Sequence, residues 1–532
     1  MGVRWEWICL LMSAVMFSVF WGHPCSVHSR EDAEGLTFRI KGFQVEGNTL
    51  LSEETLMSVL AKFAGEGKTA LDVEQARDDL ESLYHKEGYP TVLVNIPEQT
   101  VEDGIVRLVV IESTIARIRI KGNRYFTMEH ILKRLPAVRP GNVLYVPELQ
   151  SQLVSLNRNP DLSVTPALIP GRRVGTVDVE LQVDDSVPLH GSLELNNRST
   201  HDTTCLRLNG SISYDNLWQK EHSASLQYQT SPKDQKEVQT LAGSYVLPAP
   251  WNDNHIWALF AIWSDSETAF GEGFTVIGEG NIFGMRYVMP LPPKGNYGHN
   301  LTVGLDYKDF EETLGFSQEE DVYTPVTYLP LSFAYSASLS DGSGSTMFSA
   351  GLNMAFRDVV TDQREFEIKR FKAMGNYAYV TAGIERIQKL PGDLSLFVKC
   401  DGQLANQPLI SNEQYTAGGM DSVRGYKESE ETGDDALHGT AELLSPDLGK
   451  LVNRADIFSL KSFVFYDVAA LRIQDPLPEE NAHKTLQGAG AGIRGSLFDH
   501  VDFEAVWASA LEDTDRIKSG DCRWHFRVEL AF

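Results

Sequence analysis

Trp524-His-Phe-Arg-Val-Glu-Leu-Ala-Phe532 decides the fold, because large apolar residues alternate in it with polar or small ones. The apolar positions are Trp524, Phe526, Val528, Leu530 and Phe532. Successive side chains of a β-strand point to opposite faces of the sheet. This period of two therefore predicts a strand with one apolar face and one mixed face.

Alternation of the same kind extends back to about residue 188, interrupted by Gly, Asn, Asp and Pro. Candidate strands begin near residues 189, 203, 222, 238, 255, 275, 298, 326, 345, 373, 392, 436, 459, 485, 500 and 523. An even number of strands suits a closed barrel whose two ends lie on one side of a membrane. We therefore predict a 16-stranded antiparallel transmembrane β-barrel over residues 188–532. A soluble β-sandwich or propeller is the alternative.

Composition and charge exclude other classes. The chain carries 47 Lys and Arg against 73 Asp and Glu, a formal charge of −26. Nucleic-acid binding depends on clustered cations, so no nucleic-acid partner is expected. Hydrophobic residues make up 42% of the chain, which is low for a helical membrane protein. A barrel needs fewer apolar residues, because only alternate side chains face lipid.

The beginning of the sequence carries a targeting signal. Residues 7–21 form an uncharged apolar stretch that is too short to span a bilayer comfortably as a helix. Arg4 precedes it and polar residues follow it, which is typical of a secretory signal peptide. We predict a signal peptide over residues 1–29; a buried first helix is the alternative.

Two segments in front of the barrel repeat each other. Gly47-Asn48 and Gly122-Asn123 each end a short alternating strand, 75 residues apart. Ser52 and Thr127 then stand where helices need an N-cap. A second helix and two strands follow in each copy, and Asp72 is expected to cap the second helix of the first copy. The order β-α-α-β-β is thus predicted twice, over 37–113 and 114–187.

This order resembles the POTRA (polypeptide-transport-associated) domain. The stretch Leu83-Tyr-His-Lys-Glu-Gly-Tyr89 fits the same pattern. The resemblance implies two α+β domains with a chaperone-like role, in which an extended chain adds a strand to an exposed sheet edge. Two unrelated α+β domains are the alternative.

One glycine-rich motif lies in the long gap predicted over residues 405–435. It reads Gly418-Gly-Met-Asp-Ser-Val-Arg-Gly-Tyr426. Here the chain resembles the two-partner secretion translocators (TpsB proteins) of the haemolysin secretion/activation type. In that family the sixth surface loop folds back into the barrel lumen and carries a Val-Arg-Gly-Tyr tetrad. The resemblance implies a lumen site made by Gly419, Asp421, Val423, Arg424, Gly425 and Tyr426.

The resemblance also implies a carboxylate partner for the arginine, on a late strand within a Phe-x-Asp-x-Gly pattern. Phe465-Tyr-Asp467-Val-Ala469 matches it except that Ala469 replaces the glycine. A guanidinium can meet a carboxylate with two parallel hydrogen bonds. We expect the Arg424–Asp467 pair to be partly hydrated in a polar lumen. The terminal Phe532 resembles the C-terminal signal of outer-membrane barrels.

The resemblance implies a translocator in the bacterial outer membrane, with its POTRA domains in the periplasm. Its expected partners are a large secreted partner exoprotein, the outer-membrane lipids, and the barrel assembly machinery that inserts it. The alternatives are an assembly factor for other barrels and, less favoured, a passive porin or receptor. Family members often carry a plug helix before the first POTRA domain, and only about a dozen residues are left for one here, so it is expected to be absent or very short.

No enzyme is predicted. The sequence contains no His-Glu-x-x-His or Gly-x-Ser-x-Gly motif, and its five cysteines have no metal-ligand spacing. Gly490-Ala-Gly-Ile-Arg-Gly495 formally matches a dinucleotide fingerprint, but it lies inside an alternating strand and not before a helix. We therefore expect no catalytic residues, no cofactor and no metal.

Overall fold

The computed structural model describes residues 37–101, 103–201, 203–265, 279–314, 322–478 and 480–532. The predicted signal peptide and the segment in which a plug would lie are outside these residues. The chain divides into two compact units. One contains the residues up to Asn123 and Ile131–Asp184, and the other contains Arg124–His130 and Asp185–Phe532.

The first repeat forms a small sheet covered by two helices. Its elements are β1 (Phe38–Ile40), β2 (Gly42–Glu46), α1 (Glu53–Leu60), a 3-10 turn (Ala61–Phe63), β3 (Gly65–Lys68), α2 (Ala70–Lys86), β4 (Val92–Asn95) and β5 (Ile105–Glu112). The sheet order is β2-β5-β4, with β2 parallel and β4 antiparallel to β5, and β1 pairs separately with β3. The apolar helix faces pack on this sheet, and the buried side chains include Leu56, Leu60, Ala76, Leu80, Val106 and Leu108.

Both helices of this repeat begin at a side-chain cap. The Ser52 hydroxyl accepts from the backbone N–H of Thr55 at 3.3 Å, as predicted. The prediction for the second helix was wrong by one turn. Its N-cap is Thr69, and Asp72 is the third helical residue, whose carboxylate accepts from the Thr69 N–H at 2.8 Å. This reciprocal arrangement satisfies two backbone donors at the helix start and holds the pKa of Asp72 below its ordinary value.

Two sequence signatures of the first repeat contact each other. The hydroxyl of Tyr84 donates to the side-chain oxygen of Asn48 at 2.7 Å, which ties α2 to the Gly-Asn turn. Burial raises the pKa of Tyr84 to about 12, so the phenol stays neutral and keeps donating at any physiological pH. The turn and the helix are thus fixed to one another by a buried polar contact.

The second repeat has the same topology. Its elements are β6 (Thr114–Lys121), α3 (Met128–Arg134), α4 (Val146–Leu156), β7 (Leu162–Pro170) and β8 (Thr176–Asp185). The sheet order is β6-β8-β7, and β6 runs parallel to β8. The hydroxyl of Thr127 accepts from the N–H of His130 at 3.2 Å, so it caps α3 as predicted. In both three-stranded sheets the last strand is central, and the strand before the first helix, β2 or β6, lies parallel to it.

A closed antiparallel barrel follows. Its strands are β9 (Leu189–Asn196), β10 (Arg207–Leu217), β11 (His222–Thr230), β12 (Gln239–Ala249), β13 (Asn252–Asp265), β14 (Gly280–Pro290), β15 (Tyr297–Leu314), β16 (Val322–Tyr328), β17 (Leu331–Asp341), β18 (Gly344–Met354), β19 (Ala378–Lys389), β20 (Ser395–Ala405), β23 (Asp435–Leu444), β24 (Phe458–Arg472), β25 (His483–Leu497), β26 (Val501–Ala510) and β27 (Cys522–Ala531). A short hairpin, β21 (Tyr415–Ala417) and β22 (Glu431–Gly433), lies outside the barrel sheet. Connections contain α5 (Gln363–Lys369), α6 (Leu448–Leu451) and two 3-10 turns, Pro391–Asp393 and Ser411–Glu413.

The barrel has sixteen strands, as predicted, because two of these segments are one interrupted strand. Both β16 and β17 pair with β15, at Lys308–Leu314 and Tyr297–Leu305 respectively. The interruption falls at Leu329 and Pro330, between the two segments. Proline has no N–H to donate to the ladder, which is why the pairing breaks there. The sheet closes where β27 pairs with β9.

Alternate residues of each strand meet different environments. The outward side chains are apolar and half-exposed, and include Leu193, Leu226, Phe283, Val464 and Trp524. The inward side chains include the buried polar residues Thr240, Gln403, Glu442, Asp467 and His525. Among the helices that the structure describes, none is long and apolar enough to cross a membrane. The strands thus present apolar side chains outward and polar side chains inward.

Candidate functional site

Residues 406–434, which we call the inner loop, connect β20 to β23 and fold into the barrel. The base of the loop is the β21–β22 hairpin, in which Tyr415 pairs with Gly433 and Ala417 with Glu431. Its tip, residues 418–430, contacts the inward faces of the late strands from β23 to β27. The six predicted loop residues lie in this tip, and their predicted carboxylate partner, Asp467, lies on β24.

Arg424 is the most extensively bonded residue of the tip. Its Nε and Nη2 donate to the two oxygens of Asp467 on β24, both at 2.7 Å, and its backbone N–H donates to Asp467 at 3.1 Å. Its Nη1 donates to Glu442 on β23 at 2.5 Å. One guanidinium thus bridges two carboxylates on neighbouring strands.

Aromatic rings and a second arginine complete this cluster. The Arg424 guanidinium lies 3.5 Å from the centroid of the Phe465 ring, and Arg494 on β25 lies 4.2 Å from that of Phe463. Arg494 also donates to the second oxygen of Glu442 at 2.7 Å. Glu442 therefore joins the two cations, and each cation stacks on a ring.

The expectation of a partly hydrated pair was wrong. Arg424 is 4% exposed, Asp467 0% and Glu442 3%. The Phe463 and Phe465 rings and the loop itself cover the charges, so water does not screen them. Breaking a buried pair by removing one partner typically costs about 3–5 kcal/mol, because the other charge is left uncompensated.

Gly425 and Tyr426 fix the tip against two further strands. The Gly425 N–H donates to Nε2 of His525 on β27 at 3.2 Å. Gly425 has φ +105°, and a Cβ there would lie 2.8 Å from the backbone nitrogen of Ala510 on β26. The Tyr426 hydroxyl is 2.9 Å from the carbonyl oxygen of Glu512. Only glycine permits this close approach of the loop to the barrel wall.

The other predicted residues have different surroundings. Gly419 donates its N–H to the Val423 carbonyl at 3.2 Å, which closes the turn at the tip. Val423 is fully buried, in one apolar cluster with Ala469, the residue that replaces the family's glycine. Asp421 is largely exposed and pairs with Arg198 in the loop after β9, at 2.6 Å. Asp421 is therefore a peripheral contact and not part of the buried cluster.

Phe532 lies at the barrel seam. It exchanges two backbone hydrogen bonds with Gly191 of β9, at 3.0 and 3.1 Å. Its ring is 68% exposed. The last residue therefore extends the pairing that closes the barrel and presents its side chain outward.

Three residues of the site were missed by the sequence reasoning: Glu442, His525 and Arg494. Each is an inward position of an alternating strand, which is a signal that the sequence carries. Glu442 accepts from Arg424, Arg494 donates to Glu442, and His525 accepts from the Gly425 N–H. Their convergence at the tip depends on how the strands are staggered around the barrel. Sequence spacing alone does not give that stagger.

A second ionic cluster holds the base of the inner loop. Asp434 is fully buried, and its carboxylate binds both terminal nitrogens of Arg370, the residue after α5, with the Nη2 contact at 2.7 Å. The same carboxylate accepts from the backbone N–H groups of Leu409 at 2.8 Å and Gln474 at 2.7 Å. Three surface connections, between β18 and β19, β20 and β23, and β24 and β25, thus meet at one carboxylate.

The segment of the inner loop that precedes the β21–β22 hairpin is also bonded to the barrel wall. Glu413 is 5% exposed and accepts from Lys308 at 2.6 Å, from the Tyr328 hydroxyl at 2.7 Å and from the Tyr379 hydroxyl at 2.8 Å. These partners belong to β15, β16 and β19. The inner loop is therefore bound to the barrel wall at its base and at its tip.

We predict that Asp434→Asn loosens the surface connections. The amide cannot neutralise Arg370, so a buried charge loses its partner, and limited proteolysis of intact membranes should cleave these connections several-fold faster. Asp475→Asn is the matched control, because Asp475 pairs with Lys372 on the same side of the barrel but both side chains are half-exposed. Exposed pairs contribute about 0–1 kcal/mol, so the control should resemble the unaltered protein. Equal cleavage of the two variants would contradict the assignment.

Two protein families and several known transporters are similar to this chain. Residues 38–113 match the family described as POTRA domain, ShlB-type, and residues 175–495 match the family described as Haemolysin secretion/activation protein ShlB/FhaC/HecB. The outer membrane transporter CdiB of Dickeya dadantii (strain 3937) is 22% identical over 436 residues, 77% of this chain and 73% of that protein. The heme/hemopexin transporter protein HuxB of Haemophilus influenzae is 18% identical over 421 residues, 76% of this chain and 71% of that protein.

Solved structures agree on the fold. CdiB from Escherichia coli superposes with a TM-score of 0.66 at 19% identity, covering 95% of this chain and 93% of that one. BamA from Haemophilus ducreyi lacking POTRA domains 1–3 gives a TM-score of 0.57 at 13% identity, covering 93% and 100%. The family match spans residues 175–495, which is more than half of this chain. The chain therefore belongs to the ShlB/FhaC/HecB haemolysin secretion/activation family of outer-membrane transporters.

Proposed function

We propose that this transporter receives one unfolded partner exoprotein at its POTRA domains and passes it through the barrel, with the inner loop held in place by Arg424. The observation that carries the proposal is the buried cluster of Arg424, Asp467 and Glu442 inside the barrel. An ordinary surface-loop arginine would remain in water. A desolvated guanidinium bound to two strands is suited to fixing a loop in one position.

The position of the inner loop limits the space that a transported chain can use inside the barrel. The tip contacts the inward faces of late strands, so a chain that passes through the interior has to pass beside the loop or move it. Moving it exposes Asp467 and Glu442 to water, which offsets part of the cost of separating the charges. We propose that the incoming partner makes this change and that its folding outside the cell supplies the driving force. No catalytic step is proposed.

The first repeat offers one sheet edge to an extended chain. In the sheet β2-β5-β4 both β2 and β4 are edge strands without proline, but the outer edge of β4 is already bonded to α2, since the Val94 N–H donates to Glu81 at 2.9 Å and the Val92 carbonyl lies 3.1 Å from His85. In the second repeat one edge strand, β7, contains Pro166 and Pro170, which cannot donate to a ladder, and the other, β6, contains no proline. Leu93 on β4 is 49% exposed, on the face of the sheet opposite the buried Val92 and Val94. We propose that the partner adds a strand at the edge of β2 and packs apolar side chains on this open face, where Leu93 lies.

Leu93→Asp is therefore predicted to weaken capture of the unfolded partner several-fold without unfolding the domain, because the side chain is half-exposed and its loss leaves no cavity. Capture can be measured as retention of the denatured partner on the immobilised full-length protein. Leu71→Asp is the control, since Leu71 is 61% exposed in the first turn of α2, away from the sheet. Equal retention by the two variants would remove Leu93 from the binding site.

Two further partners are part of the proposal. The outward apolar residues of the strands contact outer-membrane lipids. The terminal strand β27 with Phe532 is the signal by which the barrel assembly machinery inserts the protein. No nucleic-acid partner is proposed for a chain with a formal charge of −26.

A function in assembling other barrels is the second candidate, and the fold likeness to BamA is the observation that favours it. Comparing culture medium and outer-membrane proteins with and without the gene separates the candidates. Loss of one large protein from the medium, with other barrels unchanged, supports the translocator. A broad fall in barrel proteins would support the assembly factor, and no change in either would favour a passive porin.

A further inference from the structure

A repeated polar pattern lies on the outer surface of the barrel, away from the inner loop. In three places the Nδ1 atom of a histidine lies beside a tyrosine hydroxyl: His222 with Tyr245 at 2.6 Å, His255 with Tyr287 at 2.6 Å, and His299 with Tyr335 at 3.1 Å. We call these six residues the His–Tyr row. The pairs join β11 to β12, β13 to β14 and β15 to β17, which are successive hairpins of the barrel.

The three pairs have the same geometry. In each one, the tyrosine stands directly opposite the residue two places after the histidine: Ala224 faces Tyr245, Trp257 faces Tyr287, and Leu301 faces Tyr335. Residues two apart share a face of a strand, so each histidine reaches its tyrosine along a diagonal. The register between the hairpins also repeats, because Tyr245 faces Leu259 and Tyr287 faces Val303, four places after His255 and His299 respectively. The three pairs therefore recur at a constant offset around the barrel.

The row faces outward at the periplasmic boundary. Leu241, Phe283 and Phe333 share the faces of Tyr245, Tyr287 and Tyr335 on their strands, and all three are 40% exposed or more. The histidines are the first, fourth and third residues of strands that begin at short turns on the periplasmic side. The row therefore lies where acyl chains give way to headgroups.

The hydrogen bonds between the histidines and tyrosines leave the Nε2–H groups of the histidines available at that boundary. A phenol that donates to Nδ1 leaves the ring hydrogen on Nε2. In the described part of the chain, Nε2 of His222 and of His255 has no hydrogen-bond partner, whereas that of His299 is 3.3 Å from the Pro292 carbonyl. Exposed Lys220 and Lys294 lie in the turns just before His222 and β15, and Glu221, between Lys220 and His222, is directed to His130 at 3.3 Å. The boundary thus presents N–H donors and positive charge.

We propose that the His–Tyr row binds the phosphate groups of phospholipids in the periplasmic leaflet. A phosphate oxygen accepts from Nε2–H of the imidazole, the tyrosine holds the ring in the required tautomer, and the turn lysines add charge attraction. An aromatic girdle that only fills the interface requires rings but neither histidines nor repeated hydrogen bonds. The tyrosines act as positioning residues, and the imidazoles of His222 and His255 make the contact.

The test is phospholipid retention by the full-length protein purified in detergent. Native mass spectrometry counts bound phosphatidylglycerol and, separately, a diacylglycerol with the same acyl chains and no phosphate. His222→Phe/His255→Phe is expected to lower phosphatidylglycerol retention at least threefold and to leave diacylglycerol retention unchanged. The control is Tyr228→Phe/Tyr307→Phe, because these two outward tyrosines lie farther from the periplasmic ends of β11 and β15; it should retain phosphatidylglycerol fully.

Unchanged phosphatidylglycerol retention in the histidine variant would overturn the proposal, as would equal retention of the two lipids by the unaltered protein. If the histidine variant does not fold, Tyr245→Phe/Tyr287→Phe replaces it, because it keeps both rings and removes only the hydroxyls that hold the tautomer. A fall in phosphatidylglycerol retention for this variant supports the proposal. Retention equal to that of the control variant contradicts it.

Discussion

Arg424→Ala is expected to reduce secretion of the partner exoprotein at least roughly tenfold while the barrel still inserts. Removal of the guanidinium leaves Asp467 and Glu442 buried, with Glu442 retaining only Arg494 and Asp467 losing every charged partner that the structure gives it. A loss of about 3–5 kcal/mol is typical of such a broken pair, which is enough to displace the tip. Partner protein in the medium is measured against barrel protein in the outer membrane.

Two variants of the same loop system sharpen this prediction. Arg424→Lys keeps the charge but not the planar fork, so secretion should be intermediate. Asp421→Ala removes an exposed carboxylate that pairs with Arg198 at the edge of the tip, and exposed pairs contribute about 0–1 kcal/mol, so it should secrete almost normally. Undiminished secretion by Arg424→Ala, with normal insertion, would show that the buried cluster has no part in transport.

Gly425→Ala is expected to be nearly as damaging, although it adds only a methyl group. The new Cβ would lie 2.8 Å from the nitrogen of Ala510 and 2.9 Å from the carbonyl carbon of Ser509. Both are backbone atoms of a barrel strand and cannot move aside cheaply. The tip therefore has to withdraw, which pulls the neighbouring Arg424 from Asp467 and should lower secretion several-fold. The same secretion assay measures it.

Gly295→Ala separates this clash from simple backbone strain. Gly295 also has positive φ, +60°, but nothing lies within 4 Å of its added Cβ. Strain for a non-glycine residue in this region is about 1 kcal/mol, and Gly295 lies in a short turn far along the chain from the loop. Its variant should secrete normally. Equal defects in both glycine variants would mean that strain, and not contact with the wall, explains the result at Gly425.

The strand pattern was predictable because a barrel imposes period two on every strand. Strand starts expected near 189, 222, 345 and 523 fall at Leu189, His222, Gly344 and Cys522. The start expected near 326 was less well placed, since the strand is broken there into Val322–Tyr328 and Leu331–Asp341. Period two says which face a residue takes but not where a proline interrupts the ladder.

The site was predictable only in part, because its contacts join distant parts of the chain. Arg424 and Asp467 were named together through the family resemblance, and the structure brings them together. Glu442 was not named, because its neighbours depend on the stagger of β23 against β24 and β25. Arg370 and Asp434 are 64 residues apart on two surface connections, and no periodic pattern relates them.

The hydration of the cluster was also beyond sequence reasoning. Exclusion of water from Arg424 depends on Phe463 and Phe465, which face inward on β24 beneath the folded loop. Period two predicts a polar lumen, but it does not show which part of that lumen the loop fills. The loop itself removes the water, because it fills the space next to these rings.

The most direct test of the Arg424 cluster is a double-mutant cycle on secretion with Arg424→Ala, Asp467→Ala and the two combined. If Arg424 acts by binding Asp467, the double variant should secrete no less than Arg424→Ala alone, because the buried carboxylate that the single variant leaves unpaired is then absent. If the two losses multiply, the residues act independently, and the claim that their contact fixes the inner loop for transport would be wrong.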